Sequence, residues 1–255
     1  MCLAPYSQQK GMVIIMKKRL VCIILMISFV LPLVTFGATA LGADTAESTA
    51  DAPDLNDAAR LEDVADLVEK INAYVKKKAA TKSSSGRQLS VPLYQQQEGY
   101  YCGPASVQMV LKYLTGTTYS QATLANSMGT AENGGTYVYR IRNELNSRTS
   151  AGNYQYLGTW EASFSDSLIY SIDKNRPVIC HVKTGILPNY NYASNTGHYI
   201  VSTGYYVAYS GSSATATCRY NDPHNNNSFY GTYNCDISTM TTAINNNAGY
   251  YISGT

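Results

Sequence analysis

At Arg176-Pro177 the apolar residues of this chain change their spacing. Before that point they recur at intervals of three and four, the period of a helix with one buried face. After it they alternate or run in short blocks rich in β-branched and aromatic residues, the period of strands. The upstream pattern predicts helices over 61–79, 102–114, 121–128, 137–145 and 165–174, with one short strand at 89–94. The downstream pattern predicts strands over 178–182, 198–206, 214–221, 229–234 and 250–253, with a helix at 238–245 before the last. Helices first and strands second is the α+β arrangement, and no internal repeat is visible. Punctuation supports these bounds. Gly116 ends the second helix, Ser120 caps the third, Gly134-Gly135 interrupts the chain before the fourth, and Pro177 stops the fifth.

The first 40 residues are expected to be an address rather than fold. Met16-Lys17-Lys18-Arg19 is a basic start, Leu20 to Phe36 is an apolar run broken by Pro32, and Ala38-Thr39-Ala40 is a cleavage signal of small residues. Those three parts make a secretory signal peptide. The expected location is therefore secreted, extracellular or attached to the cell wall, with no membrane contact once the signal is removed. Residues 41–60 have no apolar period and read as disordered. The 61–79 helix stands ahead of the main domain, and 81–87 (Thr-Lys-Ser-Ser-Ser-Gly-Arg) reads as a flexible linker. The expected organisation is a signal at 1–40, a preceding segment at 41–87 and one domain at 88–255. The preceding helix is a propeptide covering the site, a spacer, or a helix docked on the back of the domain.

From Gln88 onward eight Lys and Arg face eight Asp and Glu. A neutral surface offers no electrostatic basis for binding nucleic acid or anionic lipid. Six cysteines occur, and Cys102, Cys180, Cys218 and Cys235 lie beyond the signal. No C-x2-C or H-x3-H spacing is present, so a structural zinc site and a cofactor are not expected. Cys218 and Cys235 flank the Asn221–Pro223 turn and are candidates for a disulfide, with two packed free thiols as the alternative. Cys180 reads as a small core residue.

Cys102 is different. Gly103-Pro104 follows it, and proline is tolerated in a helix's first turn because its missing N–H would have no partner there. Cys102 then sits at a helix N-terminus, where the positive end of the dipole favours a thiolate over a thiol of ordinary pKa about 8.5. The dipole is worth about 1 kcal/mol, so an imidazole is needed to complete the activation. Only His181, His198 and His224 are available. His198 opens an apolar strand and is the simplest base. His181, inside a strand, is expected to face the other side or solvent, and His224, in a turn, is expected to be exposed. Asp222 is the candidate to orient the base, with Asn221 as its rival. Gln96, six residues before Cys102, is the candidate oxyanion donor, with Gln95 and Gln97 as alternatives.

These blocks occur in a recognisable order: Gln96 to Ser106 around the cysteine, Arg176-Pro177-Val178-Ile179, Gly197 to Tyr205, and Asn221-Asp222-Pro223. They resemble the papain-like cysteine peptidases related to the double-glycine leader peptidases of bacteriocin export. The resemblance implies a papain-like fold over the main domain. It implies Cys102 as nucleophile, His198 as general base and acid, Asp222 as its orienter and Gln96 as oxyanion donor. A secreted bacterial peptidase is expected, monomeric and without a cofactor, acting on protein or peptide, with cell-wall peptide among the candidates. The alternatives are an amidase or transglutaminase-like acyl transferase, and an inactive peptide-binding module on the same fold.

Overall fold

The computed structural model describes residues 58–81, 83–150, 153–190, 195–210 and 213–255. The expected signal at 1–40 lies outside the described residues, as does the expected disorder at 41–60 up to residue 57, while residues 58–60 are helical instead and open the first helix. Among those described, no helix is long and apolar enough to cross a membrane.

Among the described residues, six α-helices pack around one antiparallel sheet. The helices are α1 (Ala58–Ala79), α2 (Cys102–Thr115), α3 (Gln121–Met128), α4 (Val138–Arg148), α5 (Phe164–Asp173) and α6 (Ile237–Asn245). The strands are β1 (Ser85–Gln88), β2 (Tyr154–Gly158), β3 (Val178–Lys183), β4 (Gly197–Ser210), β5 (Ser213–Asp222), β6 (Gly231–Asp236) and β7 (Tyr250–Gly254). Their order across the sheet is β2-β7-β3-β4-β5-β6, and β1 pairs with β4. The 14-residue β4 is the spine. Its first half pairs with β3, its second half with β1, and β5 runs along its other edge. α2 packs on β4 and carries α3 and α4, while α4 also rests on β2 and β7 and α5 on β4 and β7.

Local chemistry accounts for the helix ends. Ser120 Oγ accepts the Thr123 amide at 3.0 Å and caps α3. Gly116 closes α2 in the left-handed conformation (φ 73°) and returns its N–H to the Lys112 carbonyl. α5 begins one residue earlier than the pattern predicts, because the capping hydroxyl is that of Ser163 rather than Ser165.

Two segments differ from expectation. The short strand expected at 89–94 lies instead at Ser85–Gln88, within the stretch that reads as linker. Ser-Gly-Arg-Gln has no apolar alternation to announce a strand. It is held at the sheet edge by main-chain pairing with Gly204–Val207 and by Arg87 donating to Asn175 Oδ1. β2 was not expected at all. Its five residues, Tyr-Gln-Tyr-Leu-Gly, are all buried, so they show no in–out alternation.

α1 docks on α5 and β2. Val64, Leu67 and Ile71 are buried, each worth about 1.5–3 kcal/mol by transfer. Arg60 donates to the Tyr156 carbonyl at 3.0 Å and pairs with Glu161 at 3.1 Å. At the other end Lys78, Tyr74 and Tyr205 converge on the Asp173 carboxylate.

Candidate active site

The first turn of α2 brings Cys102 to the mouth of a cleft of about 550 Å³. Tyr101 offers no side-chain cap, which leaves the first amides of the helix uncovered. The backbone N–H groups of Tyr199 and Gly103 point at the sulfur. Pro104 stands at the third helical position, where an amide would have no intrahelical partner. Gly103 is required by a close approach: a Cβ there would lie 2.5 Å from Thr136 Oγ1. Thr136 cannot readily retreat. It is buried, its hydroxyl bonds Thr130 at 2.8 Å, and its carbonyl accepts the Tyr199 hydroxyl at 2.9 Å. Gly103→Ala is expected to lower stability by about 1–3 kcal/mol through overpacking. Urea denaturation checks this, and an unchanged midpoint would show that Thr136 can move aside.

His198 opens β4 and Asp222 closes β5, the neighbouring strand. His198 Nε2 lies 2.9 Å from Asp222 Oδ1, which leaves Nδ1 for the Cys102 thiol, its other side-chain partner. Asp222 is fully buried and takes three more donors: the Tyr190 hydroxyl at 2.8 Å, Asn189 Nδ2 at 3.1 Å and the His224 amide at 3.0 Å. Burial alone would raise this carboxyl. The His198 ring beside it and the bonds from Tyr190 and His224 hold it below the ordinary carboxylate range. Burial likewise opposes a charge on His198, but Asp222 and then Cys102 win, and the imidazolium persists to about 10. Cys102 follows the same logic. Burial pushes the thiol up, while the His198 ring and the two backbone amides bring it below its ordinary value. Cys180, Cys218 and Cys235 have no imidazole beside them and are all pushed upward by burial. Among the described cysteines, the one favoured as a thiolate is thus the one at the cleft.

Asn221 faces away from this group. Its amide donates to the Val91 carbonyl at 3.2 Å and accepts from Thr232 Oγ1 at 2.8 Å. The alternation of β5 separates it from Asp222. Gln96 lines the cleft, but its Nε2 donates to the carbonyls of Glu98 and Gly99 at 2.9 and 2.8 Å. Its Oε1 is buried without a partner. Gln95 is turned to the His224–Asn227 loop, and the Gln97 amide bonds Gln121.

Two histidines depart from expectation. His181 lines the cleft, stacked on Tyr199 with ring centroids 4.3 Å apart. Burial and then the charges of His198 and Lys183 lower it to about 3, so it stays neutral. His224 is half-buried at the rim, packed against Tyr190, Phe229 and the His198 ring. The turn that was expected to expose it is folded back by its own amide bond to Asp222. Cys218 and Cys235 are cross-strand partners in the β5–β6 register, and both are free thiols. The Ser202 hydroxyl bridges Cys180 and Cys218 at 3.2 and 3.3 Å.

Sequence reasoning missed Asn189 and Tyr190, which hold Asp222 from a 3-10 turn (Pro188–Tyr190). It also missed Lys183 and Asn247, which line the far end of the cleft. None carries a local signal, because each is brought in by a loop or strand distant in sequence. No residue of α1 lines the cleft.

Comparison with known proteins bears on the same stretch. Residues 88–251 match the model of the family described as the Peptidase_C39 like family. Similar solved structures include a double glycine motif protease from an AMS/PCAT transporter in complex with the leader peptide. It shows 16% identity over 66% of this chain and 95% of that chain, with a TM-score of 0.41. The peptidase domain of Streptococcus ComA, a bifunctional ABC transporter, shows 20% identity over 64% and 98%, with a TM-score of 0.40. The bromelain protease of Ananas comosus, in complex with the E64 inhibitor, shows 14% over 65% and 94%, also at 0.40. No curated protein matches. Because the family match spans well over half of the sequence and takes in both the helix of Cys102 and the strands of His198 and Asp222, the chain belongs to the Peptidase_C39 like family of cysteine peptidases, with a papain-like fold.

Proposed function

We propose that this protein hydrolyses peptide bonds through Cys102, His198 and Asp222. The observation that carries the reading is the buried 2.9 Å contact between His198 Nε2 and Asp222 Oδ1, with the thiol on the other ring nitrogen. In the resting state the proton resides on His198 and Cys102 is a thiolate. Sγ attacks the substrate carbonyl carbon, and the carbonyl electrons move to oxygen. The Cys102 backbone N–H, at the open start of α2, stabilises that oxyanion. Collapse breaks the C–N bond, and the imidazolium gives its proton to the leaving amine. Water then attacks the thioester as His198 takes its proton, and the released thiolate restores the ion pair. Gln96 supplies the second oxyanion donor, which requires its Nε2 to leave one of the two loop carbonyls it holds at rest.

The remaining assignments belong to the same proposal. Residues 1–40 direct secretion from a bacterial cell and are removed. Residues 88–255 form the peptidase domain, and 41–87 precede it. The substrate is protein or peptide, cell-wall peptide included, and the enzyme works as a monomer.

A second reading has one observation in its favour. With Gln96 Nε2 satisfied by the loop, the site is organised for an unreacted ligand, as a peptide-binding module would be. Digestion of a broad peptide library in water enriched in heavy oxygen separates the possibilities. Hydrolysis is expected, with heavy oxygen in each new carboxyl and loss of activity after treatment with iodoacetamide. Products carrying an added amine in place of heavy oxygen would make the protein an acyl transferase. A library left intact by protein whose Cys102 still alkylates would make it a binding module.

A further inference from the structure

The end of the cleft beyond Gly197 holds polar groups that the chemistry above does not use. Asn247 is 9% exposed, and its Nδ2 is buried without a hydrogen-bond partner. Leaving a buried donor unmade costs about 1–3 kcal/mol, so such a group calls for an explanation. It is not a slack surface residue. The turn that presents it, between α6 and β7, puts two consecutive residues in the left-handed region, Ala248 (φ 63°) and Gly249 (φ 76°). Alanine there is strained, and strain of this kind persists where the surroundings enforce it. The turn is fixed by the Gly249 amide on the Ile244 carbonyl at 2.9 Å and the Thr159 amide on the Gly249 carbonyl at 3.0 Å. The amide of Asn247 lies directly against Gly197, where a Cβ would be 3.1 Å from its Oδ1.

Lys183, at the end of β3, lines the same part of the cleft. It is half-buried, and among the described residues no carboxylate lies within ion-pair distance of it. His181 beside it is neutral and adds no charge. Glu132 is the acidic residue of the cleft lining, and it is exposed on the Ala131–Gly135 turn, where water screens it. The cleft therefore offers a neutral amide donor and an ammonium with no carboxylate paired to it.

We infer that Lys183 and Asn247 form a specificity subsite that binds an acidic side chain, Asp or Glu, of the peptide beside the scissile bond. The carboxylate accepts from Asn247 Nδ2 and pairs with the Lys183 ammonium, which satisfies both groups at once. Gly197, having no Cβ, lets the Asn247 amide sit directly against the start of β4. This inference rests on the proposed peptidase reading, since it takes the cleft as a peptide site with Cys102 at its mouth.

Peptidyl chloromethyl ketones test it without a known substrate. Two series are used, acetyl-Xaa-Gly and acetyl-Gly-Xaa, with Xaa as Glu, Gln, Leu or Lys, and modification of Cys102 is read by mass. In one series Glu is expected to react at least about tenfold faster than Leu or Lys, the ratio set by a hydrogen bond to a charged group. That ratio is expected to fall to about one in Lys183→Met, and to fall in Asn247→Leu. Equal rates for Glu and Leu, or a Glu preference that survives Lys183→Met, would overturn the subsite. So would a Cys102 that ignores every ketone yet alkylates rapidly with iodoacetamide at low pH, and in that case the activated thiol would stand without the subsite. A thiol that reacts with iodoacetamide only near its ordinary pKa would instead remove the peptidase reading, and the subsite with it.

Discussion

In His198→Ala, alkylation of Cys102 by iodoacetamide is expected to lose its plateau below neutral pH and to rise only near or above the ordinary thiol pKa of about 8.5. In the parent, the ion pair exists between two limits. As pH falls, the proton lost from Cys102 returns and the thiolate disappears, and that limit is lowered by His198 and the amides of Tyr199 and Gly103. As pH rises, the imidazolium loses its proton, at a limit raised to about 10 by Asp222 and Cys102. The reactive window lies between them. Without the ring, burial dominates at Cys102 and pushes its pKa up. Two units below the ordinary value only about one thiol in a hundred is ionised. The more basic thiolate is also intrinsically more nucleophilic, so the net slowing there is on the order of tenfold to a hundredfold. Peptide hydrolysis falls further, about 10⁴-fold or more, because the leaving amine loses its proton donor as well. Rate against pH, read by peptide mass, decides the matter. An unchanged profile in the variant would dissociate Cys102 from His198 and end the triad assignment.

Asp222→Asn is expected to reduce hydrolysis by about 10³–10⁴-fold while the protein still folds. The substitution keeps the shape of the side chain in a site with no exposure. What changes is the direction of one hydrogen bond. A carboxylate only accepts, so it can receive His198 Nε2–H, Tyr190, Asn189 and the His224 amide together. An amide must also donate. If it donates to Nε2, the ring proton is displaced to Nδ1, the nitrogen that has to accept a proton from the attacking water. The alkaline limit of the alkylation profile moves to lower pH as well, since the imidazolium has lost its counter-charge. Asp222→Ala is a harsher change and is not equivalent. It strips four donors of their acceptor and leaves the His198 imidazolium without its buried counter-charge, which costs several kcal/mol of stability. Activity in Asp222→Asn within tenfold of the parent would assign the orienting role elsewhere.

The parts of this molecule that announce themselves in sequence are those fixed by neighbours along the chain. The bounds of α2 and α3 follow from Cys102-Gly103-Pro104, Gly116 and Ser120, and each is a local backbone requirement. The spacing change at Pro177 separates helices from strands because periodicity is itself a local quantity. β1 escapes notice because main-chain pairing, not side-chain pattern, holds it to β4. β2 escapes because every residue in it is buried. At the site, residue type and order single out Cys102, His198, Asp222 and Gln96 as candidates, and the fold brings the first three into contact while Gln96 lines the same cleft. The orientation of Gln96 was not readable in sequence, since it depends on where the Glu98 and Gly99 carbonyls fall. Nor were the roles of Tyr190 and Asn247, whose positions come from loops closing against the sheet rather than from anything beside them in the chain.

The docking of α1 bears on what a cut in the chain would do. α1 is held by its own buried apolar face, by Arg60 at one end and by the Asp173 cluster at the other. β1 is held separately, by its ladder to the far half of β4, the strand that carries His198 near its start. Severing the backbone between Ala79 and Ser85 therefore breaks one covalent link and none of these attachments. The product is a two-chain protein whose small fragment stays in place like a bound subunit. Clipping and release are two separate events for this molecule, and the strand that carries His198 keeps its edge partner through the first of them.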